Sequence, residues 1–124
     1  MIAGVDHVQV AAPPGCEPAA RAFYGELHGM PELEKPESLR DRGGCWFAAG
    51  GQQLHVGVLQ PFTPSVKAHP ALAAASPEAL RELAWKLESA GHPPEWDGSK
   101  PGRLRCYVAD PFGNRLELIA PAGG

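Results

Sequence analysis

The chain has 124 residues, of which 44% are hydrophobic and 20% charged, a balance typical of a single globular domain with a buried core. Its net charge is −3, and its lysines and arginines are scattered, which argues against a nucleic-acid partner. No apolar run reaches the roughly 18–20 residues that a membrane-spanning helix needs, so no membrane association is expected.

The cysteines and the start of the sequence predict a reduced, cytoplasmic setting. The three cysteines are far apart and odd in number, which favours neither a disulfide framework nor a CxxC redox or zinc site. No basic segment followed by an apolar stretch opens the sequence, so a signal peptide is not expected.

The first half of the chain predicts one strand, one helix and three further strands. Alternation over residues 5–10 predicts a strand with its later valines on one face and His7 on the other. A periodic apolar stripe followed by Gly29 predicts a helix over residues 17–28. Three short strands are then predicted at residues 31–35, 45–48 and 53–60.

The second half repeats this order after a proline-containing linker at residues 60–67. A weak strand over residues 69–75 opens with His69. Ser76 followed by Pro77 is a favourable start for a helix with a well-formed apolar stripe. Three strands are then predicted at residues 94–96, 103–109 and 116–120, with a turn at 110–114 between the last two.

The two halves match at a fixed offset of 62 residues, which aligns His7 with His69 and His55 with Glu117. Helix ends, turns and strands coincide at the same offset, which indicates a duplicated unit. We therefore predict an α+β fold of two tandem βαβββ modules that form a half-barrel cup with helices on the outer face. The modules are expected at about residues 1–61 and 67–124, within a single domain.

Four possible metal ligands fall at equivalent positions of the two modules: His7, His55, His69 and Glu117. Strand alternation directs them away from the apolar residues that face the helices, and so onto the concave face. Imidazole and carboxylate groups suit Fe²⁺, Zn²⁺, Ni²⁺, Co²⁺ or Mn²⁺, and four such ligands leave open positions on an octahedral ion. The alternative is that they are ordinary polar strand residues. We predict that at least three of them bind one divalent metal ion.

Other side chains are predicted to line the same face. Alternation places Arg105 and Tyr107 together, where they would hold an anionic or phenolic substrate oxygen. The alternative is that both lie on the surface of a twisted strand. By the 62-residue offset, Phe47 shares the face of Tyr107 and is predicted to offer an aromatic wall.

With these residues, the chain resembles the vicinal oxygen chelate superfamily, which includes glyoxalase I, fosfomycin and bleomycin resistance proteins and extradiol dioxygenases. The run DPFGNRLEL at residues 110–118 is its most specific part, and DHVQV at 6–10, AFYG at 22–25 and His69 add to it. The resemblance implies a divalent metal and a small-molecule substrate that chelates it through adjacent oxygens. It also implies His7, His55, His69 and Glu117 as the ligands.

One position departs from the family pattern. Glyoxalase I-like members usually have Glu, and epimerase-like members Gln, where this chain has His55. Glu117 is then the evident ligand that could also act as a base, with Tyr107 as a second catalytic candidate. We expect a metal-dependent lyase, isomerase or dioxygenase; the alternative is a metal-free protein of the same fold that binds a small molecule such as an antibiotic. The resemblance, together with exposed strand edges at the ends of each half, predicts a homodimer, with a site inside one chain or shared between two.

Overall fold

Each half of the chain folds with the element order β-α-β-β-β, which confirms the predicted α+β class and the tandem modules. The structure, a computed structural model, describes residues 1–121. It divides into two compact units between Pro64 and Ser65, inside the linker predicted at residues 60–67. We call these units module 1 and module 2. Within the described residues, no helix is long and apolar enough to cross a membrane.

Module 1 contains a four-stranded mixed sheet. Its strands are β1 His7–Ala12, β2 Glu32–Leu33, β3 Cys45–Ala49 and β4 Gln52–Val58. They lie in the order β1-β4-β3-β2, with β1 parallel to β4 and the other neighbours antiparallel. Side chains of β4 alternate between the two faces, so the face of His55 is opposite to that of Leu54 and Val56, as predicted.

The helix of module 1 changes its winding after one turn. The α-helix α1, Glu17–Ala20, continues directly into a π-helical segment, Arg21–Leu27. Gly25 of this segment lies so close to β3 that a Cβ atom there would be 3.3 Å from the Phe47 ring. The helix therefore covers the face of the sheet that carries Phe47. A 3₁₀ helix, Glu37–Arg42, precedes β3 and was not predicted.

Module 2 has the same topology. Its elements are β5 Ala71–Ala73, α2 Pro77–Ser89, β6 Glu95–Trp96, β7 Arg105–Ala109 and β8 Arg115–Ile119. The strands lie in the order β5-β8-β7-β6, with β5 parallel to β8. The predicted cap of α2 forms, because the Ser76 hydroxyl accepts a hydrogen bond of 3.1 Å from the Ala79 N–H. His69 lies two residues before β5 and not inside it.

The turn between β7 and β8 is built by the DPFGN sequence. The Asp110 carboxylate accepts hydrogen bonds from the backbone N–H groups of Phe112 and Asn114, at 2.9 and 2.8 Å. Gly113 has a φ of 91°, a left-handed conformation that favours glycine. Asp110 and Asn114 are both buried, so this turn fixes where β8 starts and hence where Glu117 lies.

Candidate metal centre

His69 and Glu117 form a close pair in module 2. His69 Nε2 lies 3.0 Å from Glu117 Oε1. The other ring nitrogen, Nδ1, is 2.8 Å from the Lys67 carbonyl oxygen, which can only accept, so Nδ1 donates to it. Nε2, which faces Glu117, is the ring atom that would bind a metal in place of the proton it shares with the carboxylate. The Glu117 N–H donates to the Pro70 carbonyl at 3.0 Å, which holds the two residues together through the backbone.

The second oxygen of Glu117 faces a guanidinium. Arg105 Nη1 lies 3.4 Å from Glu117 Oε2. Burial alone raises the pKa of Glu117, but hydrogen bonds from His69 and Arg105, together with their charges, outweigh it and lower the pKa below its usual value. The carboxylate is therefore ionised at neutral pH, as a metal ligand must be.

Arg105 joins Glu117 to the segment that follows β6. Its Nη1 donates to the Tyr107 hydroxyl at 2.9 Å, and its Nη2 donates to Ser99 Oγ at 2.9 Å and to Asp97 Oδ2 at 3.2 Å. Tyr107 pairs directly with Glu117 across the two strands, so both predicted lining residues lie beside the candidate ligand. Whether they contact a substrate stays a prediction.

His7 and His55 form the corresponding pair in module 1. Their rings stack, with centroids 4.2 Å apart and planes 17° apart. His7 Nδ1 lies 2.9 Å from Asp6 Oδ2, and His55 Nε2 lies 2.8 Å from Gln53 Oε1. Burial lowers the pKa of His55, and the neighbouring His7 lowers it further, so His55 is a neutral imidazole at neutral pH. A histidine that ligates a metal must be neutral.

Trp46 completes a three-ring stack that sequence reasoning missed. Its indole lies 3.9 Å from the His55 ring and within 2° of parallel to it. Because β4 lies between β1 and β3, the imidazole of His55 is held between Trp46 on one side and His7 on the other. This arrangement fixes the plane of the His55 ring.

The prediction that Phe47 shares the face of Tyr107 is wrong. Phe47 is fully buried under the helix and pairs with Leu54, while its neighbour Trp46 pairs with His55. Four residues separate the paired Ala48 and Gln53 in module 1, whereas five separate the corresponding pair in module 2, Ala109 and Arg115. The extra turn residue shifts the offset by one across β3 and β7, and a one-residue shift exchanges the two faces of a strand. Comparing the two turn lengths would have placed Trp46, and not Phe47, on the face of His55.

The two ligand pairs occupy equivalent positions of their modules. His55 pairs with Gln9, and Glu117 pairs with Ala71. His7 and His69 each lie two residues before those partners. Each module supplies two candidate ligands, and within its described residues neither gathers a group of three or more His, Cys, Asp or Glu side chains suited to a metal.

Solved structures show what this chain is similar to. No family model and no curated protein sequence matches it. A Bacillus anthracis protein assigned to the glyoxalase family is 50% identical, with a TM-score of 0.90 over 97% of this chain and 96% of that one. A lactoylglutathione lyase from Agrobacterium tumefaciens is 19% identical, with a TM-score of 0.74 over 98% and 96%. The fosfomycin resistance protein FosX from Listeria monocytogenes, in complex with Mn(II) and sulfate, is 18% identical, with a TM-score of 0.72 over 98% and 94%.

The fold and these likenesses confirm the predicted vicinal oxygen chelate class. Since half of its residues are identical to those of the Bacillus anthracis protein over nearly the full length of both, the chain belongs to the glyoxalase family.

Proposed function

We propose that this protein is a divalent-metal-dependent enzyme acting on a small substrate that chelates the metal through vicinal oxygens. His7, His55, His69 and Glu117 are the proposed ligands. The observation that carries the proposal is the pairing of these four residues at equivalent positions of the two modules. Two accidental polar pairs would have no reason to occupy matched positions.

The donor atoms of module 2 suit a divalent ion. His69 Nε2 and Glu117 Oε1 both carry lone pairs, so their separation of 3.0 Å needs a shared proton or a cation between them. Metal-bound histidines commonly donate their other ring N–H to a carbonyl, as His69 does to Lys67. Arg105 occupies the far oxygen of Glu117 and leaves the near one for a metal. The Mn(II) complex of FosX supports an ion of this kind.

When bound, a divalent ion would supply Lewis-acid polarisation of the substrate oxygens. The chain's own residues then divide the remaining tasks. Arg105 holds Glu117 in its charged form, which suits a ligand and makes this carboxylate a weak base. The Tyr107 hydroxyl accepts from Arg105, so its own proton remains available for donation to a substrate oxygen. We therefore assign proton donation to Tyr107 and ligation to Glu117.

One observation favours a second candidate, a metal-free protein that binds a small molecule. The stack of Trp46, His55 and His7 is ordered by ring contacts, and the contact of His55 with Gln53 needs no metal to hold it. A stacked aromatic surface of this kind also suits a planar ligand.

Metal analysis separates the two candidates. Protein purified without chelator or a nickel-affinity tag should hold about one divalent ion per site after incubation with each candidate metal. His69→Ala or Glu117→Ala should weaken binding by roughly tenfold or more, since each removes one direct ligand. His92→Ala, which changes a histidine outside the proposed ligand set, is the matched control. Wild-type protein that retains none of the metals would favour the metal-free candidate, and unchanged affinity in both ligand variants would refute the ligand set.

A further inference from the structure

Arg115 is a cation on the ligand face of module 2 that the proposed metal centre does not use. It begins β8 two residues before Glu117, so the two side chains share one face of the strand. Its guanidinium carbon lies 3.9 Å from the centroid of the Tyr107 ring. Among the described residues, its guanidinium makes no close ion pair and no hydrogen bond, although its charge helps to lower the pKa of Asp97, and the residue is only half buried.

The two terminal nitrogens of the neighbouring Arg105 are already occupied, whereas its Nε is buried and has no hydrogen-bond partner among the described residues. Its Nη1 faces Tyr107 and Glu117, and its Nη2 faces Asp97 and Ser99. A substrate anion at a terminal nitrogen of Arg105 would compete with these partners, and displacing Glu117 would leave a buried carboxylate without its cation, which is costly. The same anion at Arg115 displaces no polar partner.

We propose that Arg115 binds an anionic group of the substrate and so sets the substrate class. The planar guanidinium can hold a carboxylate, phosphate or phosphonate through two parallel hydrogen bonds. The Tyr107 ring restricts the guanidinium by a cation–π contact, so less side-chain freedom is lost when an anion binds.

The position of Arg115 also limits the size of that substrate. Residues two apart on a strand are about 6–7 Å apart at their backbones, given a rise of about 3.3 Å per residue. An anion on Arg115 is therefore within a few bonds of oxygens placed beside Glu117. The fitting substrate is a small acid whose carboxylate, phosphate or phosphonate lies a few bonds from two vicinal oxygens. This substrate class rests on the proposed function, whereas anion binding by Arg115 does not.

Inorganic phosphate binding to chelator-treated protein tests this proposal. We expect isothermal calorimetry to show saturable binding to wild-type protein and at least tenfold weaker binding to Arg115→Gln. Arg115→Lys, which keeps the charge but loses the two-pronged geometry, should fall between them. Arg81→Gln, a change at an exposed arginine of α2, is the matched control and should bind as wild type does. Thermal unfolding without phosphate checks that each variant is folded.

Two results would overturn the proposal. One is the lack of saturable phosphate binding to wild-type protein; the other is equal binding by wild type and Arg115→Gln. If Arg115→Gln does not fold, wild-type affinity in Arg115→Lys would also overturn it. Because these titrations use metal-free protein, their failure is distinct from failure of the metal assignment, which metal content reports.

Discussion

Replacing Trp46 with alanine removes the indole that lies flat on the His55 imidazole, at 3.9 Å and within 2° of parallel. A stacked aromatic pair contributes about 0.5–1.5 kcal/mol beyond its buried area. Freeing the His55 ring adds about 0.5 kcal/mol of side-chain entropy that metal binding must then remove. The stack orients the His55 ring before metal binds. Without Trp46, metal binding must supply both of these contributions, so metal affinity should drop by roughly fivefold to thirtyfold, since about 1.4 kcal/mol corresponds to a factor of ten.

A competition titration of Zn²⁺ or Co²⁺ against a chromophoric chelator measures this change. Trp46→Phe keeps a ring on His55 and should lose less than about threefold, because most of the stacking remains. Trp85→Ala is the matched control, because Trp85 is 67% exposed on α2. Wild-type affinity in Trp46→Ala would refute the positioning argument, and so would equal losses in the phenylalanine and alanine variants.

Three further outcomes are expected together. Burial raises the pKa of the thiols of Cys16, Cys45 and Cys106 to about 11. None of the three should therefore react with a disulfide reagent at pH 8 in native protein, and all three should react in denaturant. Hemithioacetal isomerisation with methylglyoxal and glutathione should be slow or absent with any metal form, because His55 stands where the resemblance implies a glutamate and Glu117 is a weak base. Light scattering at micromolar concentration should give a homodimer, because β1 and β5 are edge strands of their sheets.

Each of these outcomes has a contradicting result. Rapid labelling of one native thiol would show that its burial is wrong. Robust glyoxalase turnover with Ni²⁺, Co²⁺, Zn²⁺, Mn²⁺ or Fe²⁺ would show that one carboxylate ligand suffices. A monomer that still holds its metal would rule out a site shared between two chains.

Local chemistry is what the sequence revealed most reliably. The start of α2 follows from a capping serine and a proline at the first helical position, and the structure confirms it. The faces of β4 and β8 follow from alternation, which correctly separated His55 from Leu54 and Glu117 from Leu116.

Features that depend on chain length or on distant contacts were not predictable in this way. A single extra turn residue in module 2 exchanged the expected faces of Trp46 and Phe47. Arg105 donates hydrogen bonds to Asp97 and Ser99, which lie in the segment after β6. No strand pattern indicates these contacts. The π-helical winding of Arg21–Leu27 likewise has no signature in its apolar period.

The most direct test of the metal assignment is the X-ray absorption spectrum of the zinc-loaded protein. The assignment predicts nitrogen and oxygen ligands only, at about 2.0–2.2 Å, with the scattering pattern of three imidazoles. Sulfur ligands at about 2.3 Å, or a spectrum without imidazole scattering, would contradict the assignment of the metal to His7, His55, His69 and Glu117.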